Sequence, residues 1–351
     1  MSQALPDAIA SWDEEVARLN DSRPDVPGLT FRRVRIPEDL DGIAAMHIRA
    51  RVADDIDERE SAEEWGQWFA HPTGFDPAAD VVVGEVGGRI VAFAQARASD
   101  DADGGRDYIA GGEVDPEVRR RGIGRALLRH NIRRLRTRGA AEMAADAAPR
   151  ERRLESWAME STVGRVRLLE SEGFVAVRSF LEMLRPDLED IVDMPMPAGL
   201  ELRPMLPEHH RAVWAADSEA FADHWGGQQN SEEVFHRFFS GPEFRPELWC
   251  VAWDGDQVAG VVMNRIMSRF NEEKGLRRGE VAGVSVRRPW RGRGLARAMV
   301  AASLRALRDA GMTSATLGVD AENPTGAVGV YEANGFVVHR RGLNFRRPLF
   351  D

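Results

Sequence analysis

Two short stretches of this chain space arginine and glycine as an anion cradle does. Arg119, Gly122 and Gly124 stand in one. Arg291, Gly292, Arg293, Gly294, Leu295 and Ala296 form the other. Each leads into a run of helical apolar spacing: Leu127, Leu128, Ile132 and Leu135 after the first, Met299, Val300, Leu304 and Leu307 after the second. A loop entering a helix N-terminus presents unpaired backbone N–H groups and the positive end of the helix dipole. Glycine lets a phosphate come close to that backbone. The chemistry expected at each loop is the binding of a pyrophosphate. The spacing is neither that of a P-loop, whose Gly-Lys-Ser/Thr ending is missing, nor Gly-x-Gly-x-x-Gly of a dinucleotide fold.

Other reactive residue types suggest less. The lone Cys250 lies between Trp249 and Val251 and reads as a small buried strand residue. His209-His210 opens a helix without metal-ligand spacing, so it reads as a surface pair, and no metal is expected. Phe221-Ala222-Asp223-His224-Trp225-Gly226 mixes aromatic and polar groups, and serves either an acceptor pocket or helix packing.

The elements that must position these residues occur twice. Leu29-Thr30-Phe31-Arg32 returns as Leu200-Glu201-Leu202-Arg203 at an offset of 171, and the glycine-rich loop returns at 172. Glu172-Gly173-Phe174 returns as Asn334-Gly335-Phe336 at 162. Three matches in one order mark a duplicated domain. Each copy opens on a strand, meets a proline and an acid that signal a helix start, and continues to a hairpin. The hairpins turn at Gly87-Gly88 and at Asp254-Gly255-Asp256. Then come a strand, the loop, and a long helix, expected over 125–138 and 296–310. A further strand, helix and strand pair close each copy. The expected fold class is α/β (α+β), two tandem domains, each a mixed, mostly antiparallel sheet flanked by helices. The expected layout is a leader over 1–26 with a short helix from Trp12 to Leu19, a first domain over 27–186, a proline-bearing linker over 187–198 and a second domain over 199–351.

Composition narrows the function classes. The net charge is −10 and the pI about 5.5, the wrong sign for a general nucleic-acid binder. One cysteine forbids an internal disulfide and fits a reducing compartment. Met1 to Asp25 lacks a signal-peptide core, and no stretch reaches the roughly 20 apolar residues of a membrane span. A cytoplasmic protein without nucleic-acid or membrane partners is expected, as a monomer or a homodimer.

On Val114 to Gly124 and Val286 to Ala296, the sequence resembles the GNAT superfamily of acyl-CoA-dependent N-acyltransferases. The resemblance covers roughly 29–186 and 199–350. It implies that the loops bind the CoA pyrophosphate, and that the strand before the second loop, at Val284 and Val286, pairs with the pantetheine arm. Asn323 through Ala327, Tyr331 and Gly335-Phe336 look like the family's Asn, Ala, Tyr, Gly-Phe series. That likeness implies that Asn323 contacts the cofactor and that Tyr331 protonates the departing thiolate. A phenol is suited to the step, since its pKa lies near a thiol's. Glu280, in Gly279-Glu280-Val281, resembles the base of a tandem member of the family. The first copy has Leu169 where the second has Tyr331, so it is expected to be catalytically degenerate.

The expected reaction is acetyl transfer from acetyl-CoA, as cosubstrate, to the primary amine of a small molecule in the second domain. Backbone N–H groups near Val286 would stabilise the oxyanion. Two alternatives stand beside it: an acyl-CoA-binding regulatory protein without turnover, and a transferase of a larger acyl group.

Overall fold

The computed structural model describes residues 12–56, 60–101, 104–146, 150–222, 232–240, 244–323 and 325–350. The chain divides into two compact units, one of residues 1–177 with 343–351 and one of residues 178–342.

Unit 1 begins with helix α1 (Trp12–Asp21) and strand β1 (Leu29–Arg33). Asn20 fastens them, its Nδ2 donating to the Phe31 carbonyl at 2.8 Å and its Oδ1 accepting the Phe31 N–H at 2.8 Å. Helices α2 (Leu40–Ala53), α3 (Ala62–Ala70) and α4 (Pro77–Asp80) follow. Strands β2 (Val81–Val86) and β3 (Arg89–Asp100) form the hairpin expected at Gly87-Gly88, whose φ values of 58° and 81° need glycine. Strand β4 (Arg106–Val114), helix α5 (Ile123–Ala145), strand β5 (Arg152–Met159) and helix α6 (Val163–Ser171) complete this run. The strand order is β1-β2-β3-β4-β5, antiparallel except for the parallel pair β4/β5. Leu128, Ile132 and Leu135 of α5 pack with Tyr108 and Leu154, while Ile43 and Met46 of α2 pack with Val81, Val83 and Phe93. The end of the chain also belongs here: Phe345 and Leu349 are buried in this core, and the Leu349 N–H donates to the Arg152 carbonyl at 3.2 Å.

Helix α5 runs seven residues past the expected end at Arg138. Gly139 does not break it, because the backbone there packs tightly: a Cβ would stand 2.3 Å from Leu349 Cδ2. The next turns are rich in alanine, the best helix former, and Glu142 anchors them to Arg138, Arg106 and the Tyr108 hydroxyl.

Strand β6 (Val175–Arg185) begins in unit 1, and its residues from Arg178 onward belong to unit 2. There follow β7 (Glu201–Arg203), α7 (His210–Phe221), α8 (Glu232–Ser240), β8 (Cys250–Asp254), β9 (Gln257–Arg265), α9 (Ser268–Lys274), β10 (Arg278–Val286), α10 (Leu295–Asp309), β11 (Ser314–Asp320), α11 (Ala327–Glu332) and β12 (Val337–Pro348). The order is β6-β11-β10-β9-β8-β7, with β10/β11 the parallel pair. Met299, Val300, Leu304 and Leu307 of α10 cover one face with Leu317 and Met183, and Val213 and Ala216 of α7 cover the other with Val251 and Val261. The 187–198 segment lies within unit 2 and carries no helix or strand. Among the described residues, no helix is long and apolar enough to cross a membrane.

Candidate active site

In unit 2 the ladder between β10 and β11 is brief. It pairs Arg278 with Ser314, Gly279 with Ala315 and Glu280 with Thr316, then stops. Beyond that point β10 follows β9 through a bulge between Val281 and Gly283, while β11 stays paired with β6 as far as Asp320 with Phe180. The two strands thus part where each still has backbone donors and acceptors to satisfy. An extended chain bearing amides can fill such a wedge. A Cβ on Gly318 of β11 would meet no heavy atom within 4 Å.

At the far end of β10 lies the glycine-rich loop. After a turn at Arg288–Trp290, Gly292 takes φ 72°, and Gly294 takes φ 85° as N-cap of α10. These left-handed conformations suit glycine, and a Cβ on either would point into open space. The Gly294 cap has no side-chain hydrogen bond to the helix N-terminus. The loop is held from behind. Arg291 Nε donates to the Val286 carbonyl at 2.9 Å and its Nη2 to that of Ala220 at 3.1 Å. Trp290 Nε1 donates to Asp254 at 2.9 Å, and Arg293 reaches the Ala198 carbonyl at 3.2 Å. Arg291 therefore braces the loop from behind.

Glu280 stands at the foot of the wedge, where the ladder ends. It is half-buried and held bidentately by Arg265, at 2.7 and 2.9 Å. Six strand residues, about 20 Å, separate it from Val286 at the loop. One strand thus joins the glycine-rich loop at one end to a carboxylate at the other. Tyr331, on α11, is buried with Leu317 and Val319, its ring 6.1 Å from that of Phe336 in an edge-on arrangement. Burial pushes its phenol up to about 12, so it stays a proton donor at neutral pH. Asn323 closes the turn before α11: its Oδ1 accepts the Thr325 N–H at 2.8 Å and hydroxyl at 2.6 Å. Asp320, held well down in pKa against burial by Arg178, fixes the same turn through the Glu322 N–H at 3.1 Å.

Unit 1 shows the same plan with different residues. The Arg119 brace recurs, Nε to the Val114 carbonyl at 2.9 Å, and Arg119 also pairs with Asp54 at 2.6 Å. Gly122 caps α5 at φ 91°, and Gly124 sits in its first turn. The last pair before β4 and β5 part is Ile109 with Glu155, so a hydrocarbon replaces Glu280. Leu169 is buried where unit 2 has Tyr331.

The other candidates have structural roles. Cys250 is buried and its thiol is pushed up to about 12, too high for a ready thiolate. His209 lies 4.9 Å from the Trp253 ring and His210 stacks on Phe239 at 4.3 Å. No group of three metal-ligating side chains occurs among the described residues. Phe221 and Ala222 end α7, and 223–226 lie outside the described residues. Arg265 was not legible in the sequence, because the bulge after Val281 breaks any simple count across the hairpin.

Comparison with known proteins gives one family. The Acetyltransferase (GNAT) family profile matches residues 43–159 and 210–336. A mycothiol acetyltransferase of Geodermatophilus obscurus is 32% identical over 279 residues, covering 75% of this chain and 84% of its own. That of Salinispora arenicola is 30% identical over 334 residues, covering 94% of this chain and 100% of its own. Among solved structures, a GCN5-related N-acetyltransferase from Sphaerobacter thermophilus superposes with TM-score 0.71 at 25% identity, covering 92% of this chain and 96% of its own. A tandem GNAT protein from the clavulanic acid pathway shares the fold, with TM-score 0.63 at 18% identity, covering 92% of this chain and 99% of its own.

Proposed function

The chain belongs to the GNAT acetyltransferase family and is an N-acetyltransferase, and we propose that unit 2 transfers acetyl from acetyl-CoA to the primary amine of a small molecule. The observation that carries this reading is the parting of β10 and β11 beyond Glu280, opposite an uncapped helix N-terminus at Gly294. The loop holds the pyrophosphate on the N–H groups of Gly292 to Ala296. Val284 and Val286 offer their backbone to the pantetheine arm, and Asn323 borders the same ligand.

The amine nitrogen attacks the thioester carbon, forming the C–N bond. Glu280 accepts the amine proton, directly or through water, and Arg265 holds its carboxylate in place. Backbone N–H groups of β10 just past Glu280, rather than those near Val286 about 20 Å away, stabilise the oxyanion. As the C–S bond breaks, Tyr331 delivers its proton to sulfur. Burial raises the phenol's pKa but equally disfavours a bare thiolate, so the transfer stays matched. The relatives' name makes the mycothiol series the first acceptors to assay.

Calorimetric titration of acetyl-CoA into the wild type and the Gly294→Glu variant tests the placement. A carboxylate at a position of φ 85° repels phosphate and strains the loop, so binding should be lost. Undiminished binding in a folded Gly294→Glu protein contradicts the reading.

A further inference from the structure

The wedge between β4 and β5 in unit 1 is bridged by the protein itself. Arg165, on α6, donates from Nη1 to the Gly112 carbonyl of β4 at 2.5 Å and from Nε to the Trp157 carbonyl of β5 at 2.6 Å. Its Nη2 lies 3.4 Å from Ser156 Oγ, which donates across to the Ala110 carbonyl at 2.7 Å. The acceptors left over where the ladder stops are therefore taken by side chains of the same unit. A carboxylate network continues from this plug: Glu113 accepts from His47 at 2.7 Å and pairs with Arg51 at 3.1 Å, and His47 also contacts Glu60. The glycine-rich loop is covered as well. A Cβ on Gly122 would stand 3.2 Å from Pro24 Cβ, whereas at Gly294 nothing lies within 4 Å.

The sequence offset that pairs Gly173 with Gly335 pairs Arg165 with Ala327. A methyl group has neither the reach nor the donors to bridge two strands, so Ala327 cannot make in unit 2 the bridge that Arg165 makes in unit 1. We infer that Arg165 occupies in unit 1 the place an acyl-CoA pantetheine arm takes between parting strands, and that with Pro24 over the loop it limits the protein to one acyl-CoA per chain. The closure is built from residues of unit 1, and its comparison with an acyl-CoA site rests on the reading of unit 2.

Native mass spectrometry with acetyl-CoA, on proteins checked for folding by circular dichroism, tests it. The wild type should carry one acetyl-CoA and Gly294→Glu none. Adding Pro24→Gly and Arg165→Ala to the Gly294→Glu chain should restore one equivalent, now in unit 1. A second equivalent on the wild type overturns the inference, as does an equivalent retained by Gly294→Glu and lost when Gly122→Glu is added, or a folded triple variant that binds nothing. A wild type that binds none speaks against the reading of unit 2. The triple variant still decides the closure of unit 1.

Discussion

At the scale of single residues, the two units differ in what their buried polar groups hold. His47 in unit 1 bridges Glu113 and Glu60. Burial alone would depress its pKa, but the hydrogen bonds to Glu113 and Glu60 outweigh this and push it up to about 9. A histidine raised in the folded state contributes stability in full below its unfolded value near 6.5 and loses it as pH rises through 9. Thermal stability of the wild type should therefore fall between pH 6.5 and 9.5, by an amount on the order of 1–3 kcal/mol, and His47→Gln should flatten that fall. Melting scans across this range check it. Tyr331 could be singled out from the sequence, because its registry with Gly335-Phe336 matches the family's series in one dimension. The His47 cluster could not, since Glu60 and Glu113 meet it only once α2 packs on β4.

At the scale of elements, the proposed acetyl transfer turns on where a parallel ladder stops. Strand, loop and helix order could be read from the repeat and the glycine-rich loops, and the hairpin turns stand where Gly87-Gly88 and Asp254-Gly255 place them. The length of a ladder is different. The three pairs of β10/β11 depend on the bulge at Val281/Gly283 and on β6 holding β11 aside, and neither leaves a local signal. The same logic makes α11 a control point. Ala327→Arg would give unit 2 the bridging side chain that α6 presents in unit 1. It should weaken acetyl-CoA binding at least tenfold in a titration, with the thermal midpoint nearly unchanged. Affinity equal to wild type in a folded Ala327→Arg protein would mean that the arginine does not reach both strands.

At the scale of the whole molecule, the chain does not divide where its repeat does. The duplication suggests a cut between 186 and 199, yet unit 2 takes residues from 178 onward and unit 1 takes 343–351. A strand's destination depends on which core its alternate residues fill. Met183 fills that of unit 2, and Phe345 and Leu349 fill that of unit 1. Ending the chain at Gly342 removes Phe345 and Leu349, each buried side chain worth roughly 1.5–3 kcal/mol. It also removes the Arg346 ion pairs to Glu155 and Asp107. Limited proteolysis of that shortened chain should cut within residues 12–177 well before residues 199–342; protection equal to the full chain would contradict the assignment.

Under the proposed function, Glu280 and Tyr331 of unit 2 carry acetyl transfer. Its most direct test is the rate of CoA thiol release from acetyl-CoA in the presence of a panel of small primary amines, for the wild type, Glu280→Gln and Tyr331→Phe. The wild type should release thiol only with an amine present, and kcat should fall on the order of 10²–10⁴ in each variant, with acetyl-CoA binding retained. Amine-dependent release at the wild-type rate in both variants would contradict it.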